Sequence, residues 1–308
     1  MPVSYTSYPG IDKQKWDALI HRSSNGLIYA HSFYLDSMAE TWDALILDDY
    51  AAVMPLVYRK KWGIRYLYQP AFTQQLGIFS EAALTDELIS EFLSVMSGQF
   101  RFAEIALNYR NFSAYPGIAT TTRNNYILKL SQPYAEVYAG FPHSITKNIN
   151  RAKKFNLQYQ KVNEYRHIIA LYKELYQQKM HGLREDDYIK FEKLCFRLAA
   201  DDRLIVREVY YNDELVAAAI LPRDERRIYN VVSCTTTRGR NVEANYFLFN
   251  ELIREFAGTG TILDFEGSDV KSIGEFYNRF TPENQPYPFI SFNSLPTLIK
   301  LLKRLKSG

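Results

Sequence analysis

Between Arg227 and Ser268 the chain runs apolar strand, basic turn, helix, second strand and carboxylates. No other stretch constrains the fold as tightly. Ile228-Tyr229-Asn230-Val231-Val232-Ser233-Cys234 reads as a strand, and Thr235-Thr236-Thr237-Arg238-Gly239-Arg240-Asn241 as a turn containing one glycine. Asn245 to Phe256 has helical spacing, and Ile262-Leu263-Asp264-Phe265-Glu266-Gly267-Ser268 closes the unit with a strand that carries acids. This order can hold an anion at a helix N-terminus, where backbone N–H groups lack partners and the helix dipole is positive. It can also set side chains beside that ligand's reactive end.

Length and composition set the outer limits. A chain of 308 residues is long for one core and sufficient for two domains. A hydrophobic share of 47% with 23% charged residues is that of a soluble globular protein. The net charge of +3 does not call for DNA as a partner, but leaves room for an anionic ligand gripped locally. The two cysteines, Cys195 and Cys234, form no CxxC, and the five histidines (His21, His31, His143, His167, His181) are scattered, so no metal is expected. A reducing, cytoplasmic setting is expected, since the first residues lack a signal-peptide pattern. No apolar run reaches the length of a membrane span.

Periodicity supplies the elements. Residues 11–22 and 85–100 have helical spacing, the latter through Leu88, Ile89, Phe92, Leu93 and Met96. Residues 44–57 read as a hairpin turning at Asp48-Asp49-Tyr50; strands follow at 66–68 and 102–107. The second half repeats the order: a hairpin at 205–221 turning at Asn212-Asp213, a strand, the Gly239 turn, a helix and a strand. Gly77 matches Gly239 in this comparison, at an offset of roughly 160 residues, longer than any solenoid period. A helical connector lies between the halves, with helices at 144–154 (capped by Ser144), 165–179 and 188–200. Leu298 to Lys306 reads as a short cationic amphipathic helix. It can pack on the domain or touch anionic lipid peripherally.

The paired α/β units, the Ser144-Ile145-Thr146-Lys147-Asn148-Ile149-Asn150-Arg151-Ala152-Lys153-Lys154 helix, and Leu263 to Ser268 followed by Glu275-Phe276-Tyr277-Asn278-Arg279-Phe280 resemble the FemABX-like branch of the GNAT acyltransferase superfamily. The resemblance covers most of the chain and is strongest from Ile205 to Phe280. It implies an α/β (α+β) fold of two tandem GNAT-like domains, each a mixed central sheet flanked by helices. Residues 1–140 would form the first, and 141–308 the second, beginning with the connector. It further implies acyl transfer to a primary amine, on a small molecule or a cell-envelope precursor. The donor would be an acyl-CoA or an aminoacyl-tRNA, as in the branch's peptidoglycan aminoacyltransferases. Three features depart from it. The turn has one glycine where the coenzyme-A-binding pattern has two, Phe276-Tyr277 stands where those aminoacyltransferases carry Phe-Lys, and no sustained heptads mark a coiled-coil arm. A catalytically degenerate GNAT fold serving as a binding module is a third reading.

Acyl transfer needs a held donor, a deprotonated amine and a stabilised oxyanion. Arg238, Gly239, Arg240 and the helix start at Asn245 are the candidates for gripping the donor. The same turn could instead be solvated, with Gly239 supplying a positive φ. Asp264 and Glu266 alternate along a strand and would share a face, with Leu263 and Phe265 on the other. Glu266 is the candidate base and Asp264 a substrate contact, although Glu266-Gly267-Ser268 can equally form a turn. Tyr277 is the candidate acid for the leaving group, or a cleft wall. Lys147 and Arg151, one helical turn apart, and Arg279 are candidates for an anionic acceptor or RNA. Cys234 reads as a buried thiol rather than a nucleophile.

Overall fold

The computed structural model describes residues 2–178, 182–267 and 270–296. The Leu298–Lys306 helix, His181, Ser268 and the end of the helix expected at 165–179 lie outside the described residues. The chain divides into two compact units, one comprising Met1–Arg123 with Pro286–Gly308 and the other Asn124–Gln285. This differs from a boundary at residue 140, and strand pairing is the reason. Tyr126–Lys129 bonds antiparallel to Ile262–Asp264 in the second unit. Tyr287–Asn293 returns to the first, between Phe102–Ala106 and Ala119–Arg123.

The first unit is a mixed sheet flanked by helices. Its strands run in the order Val3–Thr6, Trp42–Leu47, Ala52–Lys61, Ile64–Tyr68, Phe102–Ala106, Tyr287–Asn293 and Ala119–Arg123. Only the Ile64–Tyr68 and Phe102–Ala106 neighbours run parallel along this path. Helix Asp86–Gln99 starts at Thr85, whose side chain accepts the Leu88 N–H, with Asp86 and Glu87 at the positive end of its dipole. It buries Ile89, Phe92, Leu93 and Met96 against the sheet, as their spacing of three and four requires.

The second unit holds two four-stranded sheets among the described residues. One runs Val232–Thr235, Glu214–Pro222, Leu204–Tyr211 and Gln158–Val162, all antiparallel. The other runs Arg227–Tyr229, Ile262–Asp264, Tyr126–Lys129 and Glu283–Asn284, with the first pair parallel. The central hairpin turns on Asn212 and Asp213, both with positive φ, the geometry that matches strand twist. Alternation along Leu204–Tyr211 sends Arg207 to one face, where it grips Glu255 of helix Ala244–Phe256. Glu208 points to the other face, where His167 of helix Arg166–Tyr176 meets it. The first face carries the main core: Val209, Ala217, Ala219, Phe249, Leu252, Ile253 and Phe265, with Ile145 and Ile149.

Several local expectations need correcting. The connector helix spans His143–Ala152 with Pro142 in the cap position, so Ser144 is inside it and does not cap it. The connector also supplies the edge strand Gln158–Val162, whose largely exposed polar residues carry no apolar alternation. The Gly239 segment is a helical turn, Thr237–Asn241. Gly77 has φ +98, whereas Gly239 has no positive φ, so the two glycines do not occupy one shared turn type. What requires glycine at 239 is space: a Cβ there would lie 2.2 Å from the Val216 carbonyl oxygen and 3.0 Å from Thr235 Cγ2.

Candidate functional site

One strand is shared by both sheets of the second unit and breaks at Asn230-Val231. Its first half, Arg227–Tyr229, pairs with Ile262–Asp264; its second half, Val232–Thr235, pairs among the described residues only with Glu214–Pro222. At the break the Val231 N–H turns back to the Tyr229 carbonyl at 2.9 Å, and the Asn230 N–H still reaches the Asp264 carbonyl at 2.9 Å. Beyond Asp264 the chain leaves the sheet. The two strands therefore splay, and Val232–Thr235 becomes an edge inside the unit. The Thr235 N–H on that edge points to the Tyr176 hydroxyl at 3.4 Å. An inward-facing edge is a ready partner for an extended, amide-bearing ligand.

Three side chains close the splay. Asn230 is 4% exposed; its amide donates to the Tyr277 hydroxyl at 2.6 Å and the Phe265 carbonyl at 3.2 Å. Tyr277, on helix Lys271–Asn278, is also 3.3 Å from Ser233 Oγ. Burial pushes its hydroxyl up to about 12, against the two hydrogen bonds that lower it, with Tyr176 and Glu266 adding to the rise. Glu266 follows the strand with φ +46, a left-handed backbone that costs a non-glycine residue roughly 1–2 kcal/mol. Its carboxyl is buried, and loss of water raises its pKa to about 8. A left-handed backbone and a desolvated carboxyl coincide at this residue. Tyr172 is buried close by; desolvation first, then Tyr188, Tyr277, Tyr176 and Cys234, raise its hydroxyl well above the ordinary tyrosine range. Cys234, pushed up to about 12 by burial, is a thiol and not a thiolate.

Glu266 and Tyr277 thus come together. The other candidates from sequence are occupied or stand elsewhere. Asp264 does not share a usable face with Glu266, because the strand ends at Asp264 and alternation stops there. Its carboxylate is buried against Arg227 at 2.5 Å and accepts from Asn125 at 3.2 Å and from the Glu266 N–H at 3.1 Å. It serves the fold and is not open to a substrate. Arg238 is paired with Glu214 and lies over the Tyr211 ring. The Gly239 N–H is taken by Thr236 Oγ1 at 3.0 Å. Arg240 is exposed, and Asn245 sits in the first turn of helix Ala244–Phe256. The N-cap residue of that helix is Glu243, whose side chain makes no capping hydrogen bond and is held by Arg151 at 3.1 Å. Lys147 is exposed, and Arg279 donates to the Tyr246 hydroxyl at 2.7 Å. Within the turn the Gly239 N–H and Arg238 are therefore engaged by the chain itself, while Arg240 is exposed.

Asn230, Ser233 and Tyr176 were not singled out by sequence reasoning. One signal for Asn230 was present: an asparagine inside an apolar run disfavours a regular strand and marks a bulge. Nothing local marks Tyr176, which reaches the edge from a helix 59 residues earlier. Among the described residues no group of three or more His, Cys, Asp or Glu is arranged to hold a metal. None of their helices is long and apolar enough to cross a membrane.

A strand broken at a bulge, splayed from its parallel neighbour and followed by a tight turn and a long helix, organises the α/β domain of the second unit. Residues 143–270 match the acetyltransferase (GNAT) domain family. Over its full length the chain has the fold of FemX: TM-score 0.65 at 11% identity, covering 98% of this chain and 99% of that one. L-PGS from Bacillus licheniformis gives TM-score 0.54 at 11% identity, covering 94% of each chain. A GNAT-family acetyltransferase from Colwellia psychrerythraea gives 0.53 at 10%, covering 95% of this chain and all of that one. No curated protein matches in sequence. The matched segment, residues 143–270, is thus similar to a GNAT domain, and the chain shares the fold of FemX.

Proposed function

We propose that the protein transfers an acyl or aminoacyl group from an activated ester or thioester to a primary amine, at the splay bounded by Glu266, Tyr277 and Asn230. The observation that carries this is the buried Glu266 carboxyl, whose proton affinity has been raised toward that of an amine. An acceptor arriving as an ammonium gives a proton to the Glu266 carboxylate, and the freed nitrogen attacks the acyl carbon. The new C–N bond forms as the C–O or C–S bond breaks. Tyr277, kept protonated by burial, is placed to give a proton to the leaving oxygen or sulfur. The second proton of the attacking nitrogen passes to the tyrosinate so formed, and Glu266 releases its proton to solvent.

Two donor classes fit this chemistry. The turn lends little support to coenzyme A, since the Gly239 N–H and Arg238 are engaged within the chain. Exposed Lys147, Lys154 and Arg240 suit phosphates of a larger anion. With the FemX-like fold, this favours aminoacyl-tRNA as donor and a small-molecule or cell-envelope-precursor amine as acceptor. On the other side stands Tyr277, in place of the lysine that the FemABX resemblance implies.

The test is a mass-spectrometric transfer assay with butylamine as acceptor and, separately, acetyl-CoA and a mixed aminoacyl-tRNA pool as donors. Transfer from either supports the reading and names the donor class. With either donor, kcat/KM should rise with pH up to about 8 and then level, and Glu266→Gln should remove that rise. No transfer from both donors refutes the reading and leaves a binding module built on this fold.

A further inference from the structure

Asn230 presents an unanswered polar atom. Its Oδ1 is buried and has no hydrogen-bond partner among the described residues. A buried acceptor left unpaired is unfavourable and rare in a well-packed interior. The side chain cannot relieve this by rotating. Its Nδ2 already donates to the Phe265 carbonyl and the Tyr277 hydroxyl. Exchanging the two ends of the amide would face Oδ1 toward the Phe265 carbonyl oxygen, setting acceptor against acceptor. The backbone is fixed as well, through the Asn230 N–H to the Asp264 carbonyl. The fold therefore holds an acceptor, and not a donor, at the strand break.

An acceptor selects its ligand. A phosphate, a carboxylate or the carbonyl oxygen of an acyl group would face Oδ1 lone pair to lone pair. An N–H group is complementary. Tyr277, bonded to Asn230, also feels the Glu266 carboxyl, so the acceptor stands in the same cluster as that acid.

We infer that Asn230 forms the subsite for the nucleophilic amine, in which its Oδ1 takes one N–H of a primary ammonium. This rests on the acyl-transfer reading for its biological sense, though not for its chemistry. It narrows the acceptor to unbranched primary amines. Each methyl on nitrogen removes an N–H donor and adds bulk where the Asn230 acceptor needs to be answered. It also fixes polarity: the acyl carbonyl lies away from Asn230.

The experiment is calorimetric titration of the full chain at pH 8 with butylammonium, N-methylbutylammonium, butyltrimethylammonium and butyrate. For the wild type, affinity should fall tenfold or more from the primary to the quaternary amine, with no binding of butyrate. Asn230→Leu should bind the primary and quaternary amines within about threefold of each other. Equal affinities across the wild-type series overturn the inference without any variant, as does an undiminished primary-amine preference in Asn230→Leu. The transfer assay, run in parallel, separates the two claims. Transfer with an unchanged preference in Asn230→Leu removes the subsite and leaves the acyltransferase. Asn230-dependent preference without transfer from either donor keeps the subsite and removes the acyltransferase.

Discussion

Replacing Glu266 with glutamine should change how stability depends on pH, by an amount set by the buried carboxyl. Loss of water is the cause of its raised pKa, from 4.5 to about 8. A raised acid binds more protons folded than unfolded in that interval, so the slope of unfolding free energy against pH is negative. The native state is unpenalised by this group below about pH 4.5. It loses stability progressively between there and pH 8, and carries the full cost above. The gap between 4.5 and about 8 corresponds to roughly 5 kcal/mol. Glutamine has nearly the same shape and does not titrate. Wild type and Glu266→Gln should therefore be close in stability at pH 5, and the variant more stable by several kcal/mol at pH 9. Other titrating groups cancel in the difference.

Urea unfolding from pH 5 to pH 9 measures it. The probe needs care: Trp16, Trp42 and Trp62 all lie in the first unit, so tryptophan fluorescence does not see this site. Hydrogen exchange of peptides covering 262–278, at increasing urea, reads the second unit directly. Parallel wild-type and variant curves across the whole range would sink the argument that Glu266 is a desolvated carboxyl, and with it the base assigned to the reaction.

Further outcomes follow from the same coordinates. Gly239→Ala should cost about 1–3 kcal/mol, because a Cβ 2.2 Å from the Val216 carbonyl forces helix and strand apart; an unchanged urea midpoint would contradict it. Asp264→Ala should cost about 3–5 kcal/mol by leaving the buried Arg227 charge uncompensated, and pairing it with Arg227→Met should recover most of that loss in the same unfolding assay. Both cysteines are buried, and burial raises both thiols. A thiol reagent should label neither in the native protein within minutes and both in denaturant; one fast native equivalent would refute this. If aminoacyl-tRNA is the donor, Lys147→Glu should weaken tRNA binding and reduce its salt slope by about one in filter-binding titrations.

The sequence by itself determined the elements. Apolar spacing marked helix Asp86–Gln99, and Asn212-Asp213 marked the hairpin, because these signals are local: a periodic face and a turn that tolerates positive φ. It also offered Glu266 as a candidate base and Tyr277 as a candidate acid, each with a structural alternative beside it. What it missed was non-local. Strand Tyr287–Asn293 belongs to the first unit although 163 residues separate it from Arg123, and no local pattern states a strand's partner. Asp264 and Glu266 look equivalent in a row of letters. Only the tertiary fold shows one neutralised by Arg227 and the other stripped of water by burial. The glycine turn reads as an anion cradle in sequence, but in the fold Thr236 takes the Gly239 N–H and Glu214 pairs with Arg238. Which acid can work and which donors remain open depend on desolvation and on partners distant in sequence, and these exist only once the chain has folded.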